Sequence, residues 1–274
     1  MVFPSCKMVL GTDSTRRRSS LLKLTYQLDV TRGHRSSHRE AEVPIATSLE
    51  LAPRRDPLVI TVELQSAQME DTYASTKRFY DVNAESYAEV TRALPMSDEI
   101  DSFVEQLPQG VKIVDLGCGA GRDLLAFSQR RVAAVGLDFS RPLAKLARDY
   151  SACPVVVGDL RILPFGTNSL GGAWASASLL HLQRSDVDLA LAEIRRVLVP
   201  SGVFFSSLKC GKNGEMDTSG RWFSYFDQSD WLMRLRKAGF IVIAMRTSIQ
   251  ESGTIEKDQP VSWFSCIAKK DWKA

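Results

Sequence analysis

From residue 112 onward the chain alternates two hydrophobic patterns. Short runs of aliphatic and β-branched residues at 112–116, 132–137, 154–157, 171–176, 203–208, 240–245 and 262–268 predict strands. Between them, apolar positions recur every three to four residues and predict helices over 122–131, 142–150, 185–200 and 229–238. The helix at 185–200 carries the strongest signal. Ser185 and Asp188 have the spacing of a capping box, Val187, Leu191, Ile194 and Leu198 form one apolar stripe, and Pro200 and Gly202 end it. Ahead of this series, Phe79, Val82, Tyr87 and Val90 recur at helical spacing, which predicts a helix over 75–94 with Ser75 as its N-cap. A second short helix is predicted over 97–107, with Ile100, Phe103 and Val104 on one face and Pro108 and Gly110 ending it. Strands alternating with helices through short connections predict an α/β fold, a mostly parallel sheet with helices on both faces. No internal repeat is visible.

Composition divides the chain. Residues 1–68 hold 10 Lys/Arg against 7 Asp/Glu, and residues 69–274 hold 25 of each, so the whole excess of +3 lies in the first part. Two domains are expected: a basic N-terminal extension over 1–68, largely disordered by composition, and a folded domain over 69–274. The Arg- and Ser-rich start also fits an organellar import signal, although Asp13, Asp29 and Glu40 interrupt it. Residues 57–65 predict an isolated strand. No apolar run approaches the ~18 residues needed to cross a bilayer, so no membrane partner is expected. The five cysteines are scattered and form no C-x-x-C pair, as in a reduced, cytoplasmic protein. With only three histidines and no carboxylate pattern around His34 and His38, no metal site is expected. The neutral balance of 69–274 gives no electrostatic footprint for nucleic acid.

Candidate chemistry starts at 114-VDLGCGAGRD-123 and 135-VGLDFS-140. A glycine-rich turn between a first strand and its helix lets a ligand approach the backbone at the carboxyl end of the sheet. The spacing Gly117-x-Gly119-x-Gly121 is not the G-x-G-x-x-G that cradles a pyrophosphate, and no Gly-Lys-Ser/Thr follows to make a P-loop. Asp138, ending the second strand, can accept both hydroxyls of a ribose. Together these point to an adenosine-containing ligand without a pyrophosphate.

With 158-GDLRILPF-165, 176-SASLLHL-182 and 193-EIRRVLVPSG-202 in the same order, the chain from about residue 80 to 268 resembles the class I S-adenosylmethionine-dependent methyltransferases of the type 11 or 25 domain. The resemblance implies a Rossmann-like open sheet of about seven strands, mostly parallel with an antiparallel last strand. It implies S-adenosyl-L-methionine as the cofactor. Gly117, Cys118, Gly119 and Gly121 would pass beneath its methionine part, and Asp115 would meet its amino group. Asp138 would bind the ribose, Phe139 would pack on the adenine, and Asp159 and Leu160 would meet the adenine edge. Ser176 would border the methionine end. Other roles stay open: Gly121 could serve helix–strand packing, Asp159 could cap a turn, and Cys118 could be a small filler. The sequence departs from the family at Leu170-Gly171, where Phe-Asp is usual, and at Ser201, where glycine is usual.

A small-molecule substrate is the expected methyl acceptor, at an O, N or C atom. His181 is the one histidine of the domain, and a general base or a substrate-contact residue at the mouth of the site. Tyr80 and Tyr87, seven residues apart, share a helix face and could touch the sulfonium or the substrate, or pack in the core. Residues 220–231 carry Trp222, Phe223, Tyr225 and Phe226, an aromatic wall for an acceptor or a cover for the sheet edge, with Arg221 to hold an anion. A tRNA-modifying enzyme and a non-catalytic cofactor-binding subunit are the alternatives. The oligomeric state is not encoded in any pattern here.

Overall fold

The sheet is organised by strands whose two faces are both apolar. In β1 (Lys112–Leu116), Val114 and Leu116 point into one core, and Ile113 points into another on the opposite face. β4 (Leu170–Ser176) repeats the alternation with Ala173 and Ala175 against Trp174, and β5 (Leu198–Lys209) with Phe204 and Leu208 against Val203 and Phe205. Burial on both faces is what a parallel sheet covered by helices requires. The computed structural model describes residues 66–94, 96–250 and 261–272, all within one unit, Ser66–Ala274. The expected strand at 57–65 and nearly all of the basic extension lie outside the described residues.

The remaining strands are β2 (Ala133–Asp138), β3 (Val155–Val157), β6 (Gly214–Met216), β7 (Trp222–Ser224), β8 (Phe240–Gln250) and β9 (Val261–Lys270). Seven of them form one sheet in the order β3-β2-β1-β4-β5-β9-β8. The first five run parallel, with Leu116 beside Leu137, and β9 runs antiparallel to both β5 and β8. This is the Rossmann-like sheet with an antiparallel last strand. β6 and β7 form a separate hairpin that the sequence pattern did not reveal.

The helices are α1 (Ser66–Val82), α2 (Ala84–Arg92), α3 (Ser97–Val104), α4 (Arg122–Gln129), α5 (Arg141–Ser151), α6 (Arg184–Val197) and α7 (Gln228–Lys237). α6 and α7 cover one face through Leu191, Ile194, Trp231 and Leu235. α3 and α4 cover the other, where Trp174 stacks on Phe205 at 3.7 Å and meets Phe103 and Phe127 edge-on. Each of these fully buried rings contributes about 1.5–3 kcal/mol through its removal from water.

Four expectations are corrected. The helix at 75–94 breaks at Asn83 (φ −104°, ψ 18°), which resets its phase. Thr76, Tyr80, Ala84 and Ala88 are buried and Val82 and Val90 exposed, the reverse of the apolar face read from the sequence. Ser75 lies inside α1 and donates to the Gly220 carbonyl at 2.8 Å instead of capping. α6 begins before Ser185, with Gln183 at the cap position and no capping side chain; Asp188 pairs with Arg234 of α7 instead. Pro200 and Gly202 lie within β5, which follows α6 directly, and Ser201 takes the left-handed φ of 61° that suits the glycine it replaces. The other departure also has a packing reason: a Cβ at Gly171 would sit 2.3 Å from Val111.

Candidate functional site

At the carboxyl ends of β1, β2 and β4 the chain encloses a pocket with about 580 Å³ of empty space, part of it open to solvent. Its floor is Gly117, Gly119, Leu137 and Asp138, and one wall is Gly158 and Leu160. Ser176, Ala177, Ser178 and His181 form a second wall, and Tyr73, Tyr80 and Tyr87 of α1 and α2 roof it beside Phe139.

The floor is built by backbone geometry. Gly117 and Cys118 both donate their N–H to the Leu137 carbonyl, at 2.7 and 3.0 Å. Gly119 donates to Asp138 Oδ2 at 2.8 Å, and Ser140 donates to Oδ1 at 2.9 Å. Asp138 thus clasps the loop to the end of β2. Each of its oxygens has one bond from the chain and a lone pair left over. Burial pushes this carboxyl up to about 6, against the downward pull of the two backbone amides. Gly117 has φ 72°, and a Cβ there would meet Ser178 Cβ at 2.5 Å. Gly119 faces open space, with only Tyr87 Cε1 at 3.7 Å from its notional Cβ. Gly121 is away from the pocket: its notional Cβ lies 2.8 Å from the Ala147 backbone, so it lets α4 and α5 approach.

The other candidate residues divide between the pocket wall and the frame behind it. Phe139, Leu160 and Ser176 line the pocket; Asp115, Cys118 and Asp159 do not. Asp115 is buried, and its Oδ2 has no hydrogen-bond partner among the described residues. Burial, then the neighbouring Asp123, raises its carboxyl well above the ordinary range. Cys118 packs its sulfur against Gly136, and burial raises its thiol as well, which suits a filler. Burial alone would raise Asp159, but the Arg161 guanidinium and backbone amide hold it low. Arg161 grips both of its oxygens, reaches Asp186 at 3.0 Å, and lies over the Tyr73 ring.

His181 ends the short turn Leu179–His181 and lines the pocket half-buried, next to Tyr80. Its Nδ1 lies 2.7 Å from the Trp222 carbonyl and its Nε2 2.7 Å from the Tyr80 hydroxyl. A carbonyl only accepts, so Nδ1 carries the proton and Nε2 accepts from Tyr80. Burial pushes the ring down to about 3, which keeps it neutral. Both nitrogens are engaged, so this arrangement offers a substrate no free lone pair; a hydrogen-bond role fits the geometry better than a general base. Tyr87 meets the Tyr80 ring edge-on at 5.1 Å, and burial raises both phenols.

The aromatic segment does not form a pocket wall. Phe223 and Phe226 are buried in the sheet core, and none of Trp222, Phe223, Tyr225 and Phe226 reaches the pocket. Arg221 is paired with Asp217 at 2.7 Å. The sequence reading missed Tyr73, whose place seven residues before Tyr80 was a legible signal, and Ser178, which had none. Among the described residues no three His, Cys, Asp or Glu side chains cluster as metal ligands, and no helix is long and apolar enough to cross a membrane.

Comparison with known proteins bears on this geometry. Residues 114–206 match a family model described as a methyltransferase domain. An uncharacterized protein of Methanocaldococcus jannaschii is 33% identical over 129 residues, 47% of this chain and 49% of that one. A probable tRNA methyltransferase 9B of Bos taurus is 29% identical over 142 residues, 51% of this chain and 28% of that one. The chain therefore spans about half or less of these curated relatives. A Burkholderia thailandensis 1,6-didemethyltoxoflavin-N1-methyltransferase, solved with that compound and S-adenosylhomocysteine, shares the fold with a TM-score of 0.60. It is 18% identical, over 77% of this chain and 93% of that one.

Proposed function

We propose, from the match of residues 114–206 to a methyltransferase domain, that the chain is a class I S-adenosylmethionine-dependent methyltransferase and transfers a methyl group from S-adenosyl-L-methionine to an oxygen, nitrogen or carbon atom of a small molecule. The observation that carries this reading is the Asp138 clasp on a glycine loop. It leaves a bare backbone at Gly119 and spare carboxylate lone pairs at the carboxyl end of the sheet. Asp115, behind the pocket lining, has a buried Oδ2 without a partner among the described residues, which a cationic amino group would satisfy directly or through a water.

In this reading Asp138 accepts from the ribose hydroxyls, Phe139 packs against the adenine, and the Leu160 amide meets its edge. Asp159, already filled by Arg161, sets the turn that presents Leu160. Gly117 and Gly119 pass beneath the methionine part, Asp115 faces its amino group, and Ser176 borders it. Cys118 and Gly121 shape the loop. When bound, the cofactor supplies a methyl already activated by a positive sulfur, so the work of the chain is alignment of donor and acceptor. Tyr80 and Tyr87 close that end of the pocket, and His181 is a positioning residue that fixes the Tyr80 hydroxyl. The described pocket residues all belong to the unit Ser66–Ala274. The scattered cysteines, free among the described residues, support a cytoplasmic location.

The relative named as a probable tRNA methyltransferase supports a second reading, an RNA acceptor. The equal count of acidic and basic residues over 69–274 favours the small molecule. Calorimetric titration with S-adenosylmethionine, S-adenosylhomocysteine and NAD tests the proposal. Micromolar binding of the first two with none of NAD is expected; silence toward all three overturns it.

A further inference from the structure

Methyl transfer to a neutral hydroxyl or to an ammonium releases a proton, and the pocket has no side chain placed to take it. Both nitrogens of His181 are engaged at 2.7 Å, Nδ1 with the Trp222 carbonyl and Nε2 with the Tyr80 hydroxyl. The other titratable groups lining the pocket are Tyr73, Tyr80, Tyr87 and Asp138. Burial raises the three phenols, which keeps them protonated, and the Asp138 oxygens hold the Gly119 and Ser140 amides. Such a pocket suits an acceptor that arrives with its lone pair already free.

Beside His181, outside the pocket lining, lie two buried cations. Arg221, 9% exposed, lies over the rings of Phe79 and Phe223, with its guanidinium carbon 4.7 and 4.9 Å from their centroids. Lys209 ends β5 and is 3% exposed; its Nζ is 3.8 Å from the Phe223 centroid, and that ring lies 4.8 Å from the His181 ring. One carboxylate, Asp217, acts on His181 together with them and is paired with Arg221. Glu215, the other carboxylate of the hairpin, is exposed and accepts from the Tyr225 hydroxyl, so water screens it. The field at this wall is therefore net positive, which favours an anion over a neutral group and disfavours a cation formed there. A carboxyl group is ionised at neutral pH without help, whereas phenols and amines hold their protons. A heteroaromatic nitrogen needs no base but becomes cationic when methylated. We propose that the methyl acceptor is a carboxylate, selected by the field of Lys209 and Arg221, and the product its methyl ester, a substrate class that rests on the methyltransferase reading above. A lone pair on the carboxylate oxygen forms the new C–O bond as the C–S bond breaks and leaves its electron pair on sulfur. The positive and negative charges cancel, and no proton moves.

The test incubates the full chain with S-adenosylmethionine tritiated on its methyl group and a small-molecule extract of cells, then treats the products with mild alkali. A methyl ester gives up its label as volatile methanol, so nearly all the transferred label should become volatile. Label that survives alkali, as an ether, a methylamine or a C-methyl group, would overturn the inference and leave the methyltransferase reading standing. No transfer of either kind would bring down the small-molecule methyltransferase reading, and the inference with it. Lys209→Met keeps the length of the side chain and removes its charge. It should form ester roughly tenfold more slowly at limiting extract, with an affinity for S-adenosylhomocysteine within about twofold of the wild type. Burial, then Arg221, pushes Lys209 down to about 8, against the upward pull of Asp217 and Glu215. The wild-type rate should therefore fall toward that of the variant between pH 7 and 9, while the rate of the variant stays level. A variant as fast as the wild type, or an equal fall with pH in both, would overturn the electrostatic selection on which the inference rests.

Discussion

Replacing Asp138 by asparagine separates the stability of the fold from its proposed use of ribose. The side chain is 4% exposed, and burial raises its carboxyl from the ordinary 3.8 to about 6. A rise of that size corresponds to about 3 kcal/mol lost to the unliganded fold at neutral pH. The sign is fixed by proton uptake: between about 4 and 6 the folded chain binds the proton that the unfolded chain has released. This group's contribution to stability therefore improves as pH falls through about 6 and is worst above it. Asp138→Asn removes that cost. It also turns one of the two acceptors facing the Gly119 and Ser140 amides into a donor, a loss of about 1.5–3 kcal/mol. The two effects nearly cancel above pH 7, where the variant should melt within about 5 °C of the wild type. At pH 5, where the wild-type carboxyl is already protonated, the variant should be the less stable of the two. Ligand affinity has no such compensation. The ribose hydroxyls lose an anionic acceptor, and S-adenosylhomocysteine should bind roughly ten to a hundred times more weakly. Thermal melts between pH 5 and 8, paired with calorimetry, measure both effects. Unchanged affinity in the asparagine variant refutes the ribose assignment, and a pH-independent difference in melting refutes the electrostatic one.

Gly117→Ala should cost more than about 2 kcal/mol in urea unfolding and abolish S-adenosylhomocysteine binding, because the new methyl meets Ser178 Cβ at 2.5 Å at φ 72°. Trp174→Phe keeps the aromatic stack but removes the 2.8 Å bond from Nε1 to the buried Asp123, and should lower stability by about 1–3 kcal/mol in the same assay. Nitrogen NMR of the imidazoles, assigned with His181→Gln, should show His181 neutral and protonated on Nδ1 down to pH 5; a midpoint near 6.5 would refute the buried hydrogen-bond chain from Tyr80 to Trp222.

The sheet was legible in the sequence because each central strand is a largely apolar run, and alternation along it serves two cores at once. Val114 and Ile113 did not need their neighbours identified to be recognised as buried. The glycine loop and Asp138 were legible for a different reason: a backbone with positive φ at Gly117, Gly119 and Gly121 admits few residue types. What the pattern concealed depends on contacts between segments distant in sequence. Periodicity carried through Asn83 put Val82 and Val90 in the core, since a one-residue break in helix phase leaves no compositional trace. The capping box at Ser185 was overridden by tertiary ion pairing of Asp188 with Arg234. The aromatics at 222–226 read equally well as a pocket wall or as core, and only the β6–β7 register at Phe223 and the bridge from Cys210 to Phe226 put these two rings in the core. Ser178 was invisible, because its place in the pocket lining comes from the turn after β4 and leaves no pattern in the sequence.

The ionisable groups lining the pocket share a property that none has alone. Burial raises the Tyr73, Tyr80 and Tyr87 phenols and lowers His181 to about 3, so all four stay uncharged near neutrality. Asp138 alone among the pocket-lining groups titrates near the working range. An imidazolium at His181 would set a positive charge against the π-faces that roof the site, where the proposed ligand brings a positive sulfur of its own. Burial holds the ring neutral against the upward pull of the Trp222 carbonyl and leaves the rings of Tyr80 and Tyr87 as the aromatic lining there. Those faces attract a cation, by about 0.5–2 kcal/mol per well-placed ring when desolvated. The demethylated product has lost that charge and with it this attraction. On the proposed function, the burial that keeps His181 neutral would therefore favour the charged donor over its demethylated product.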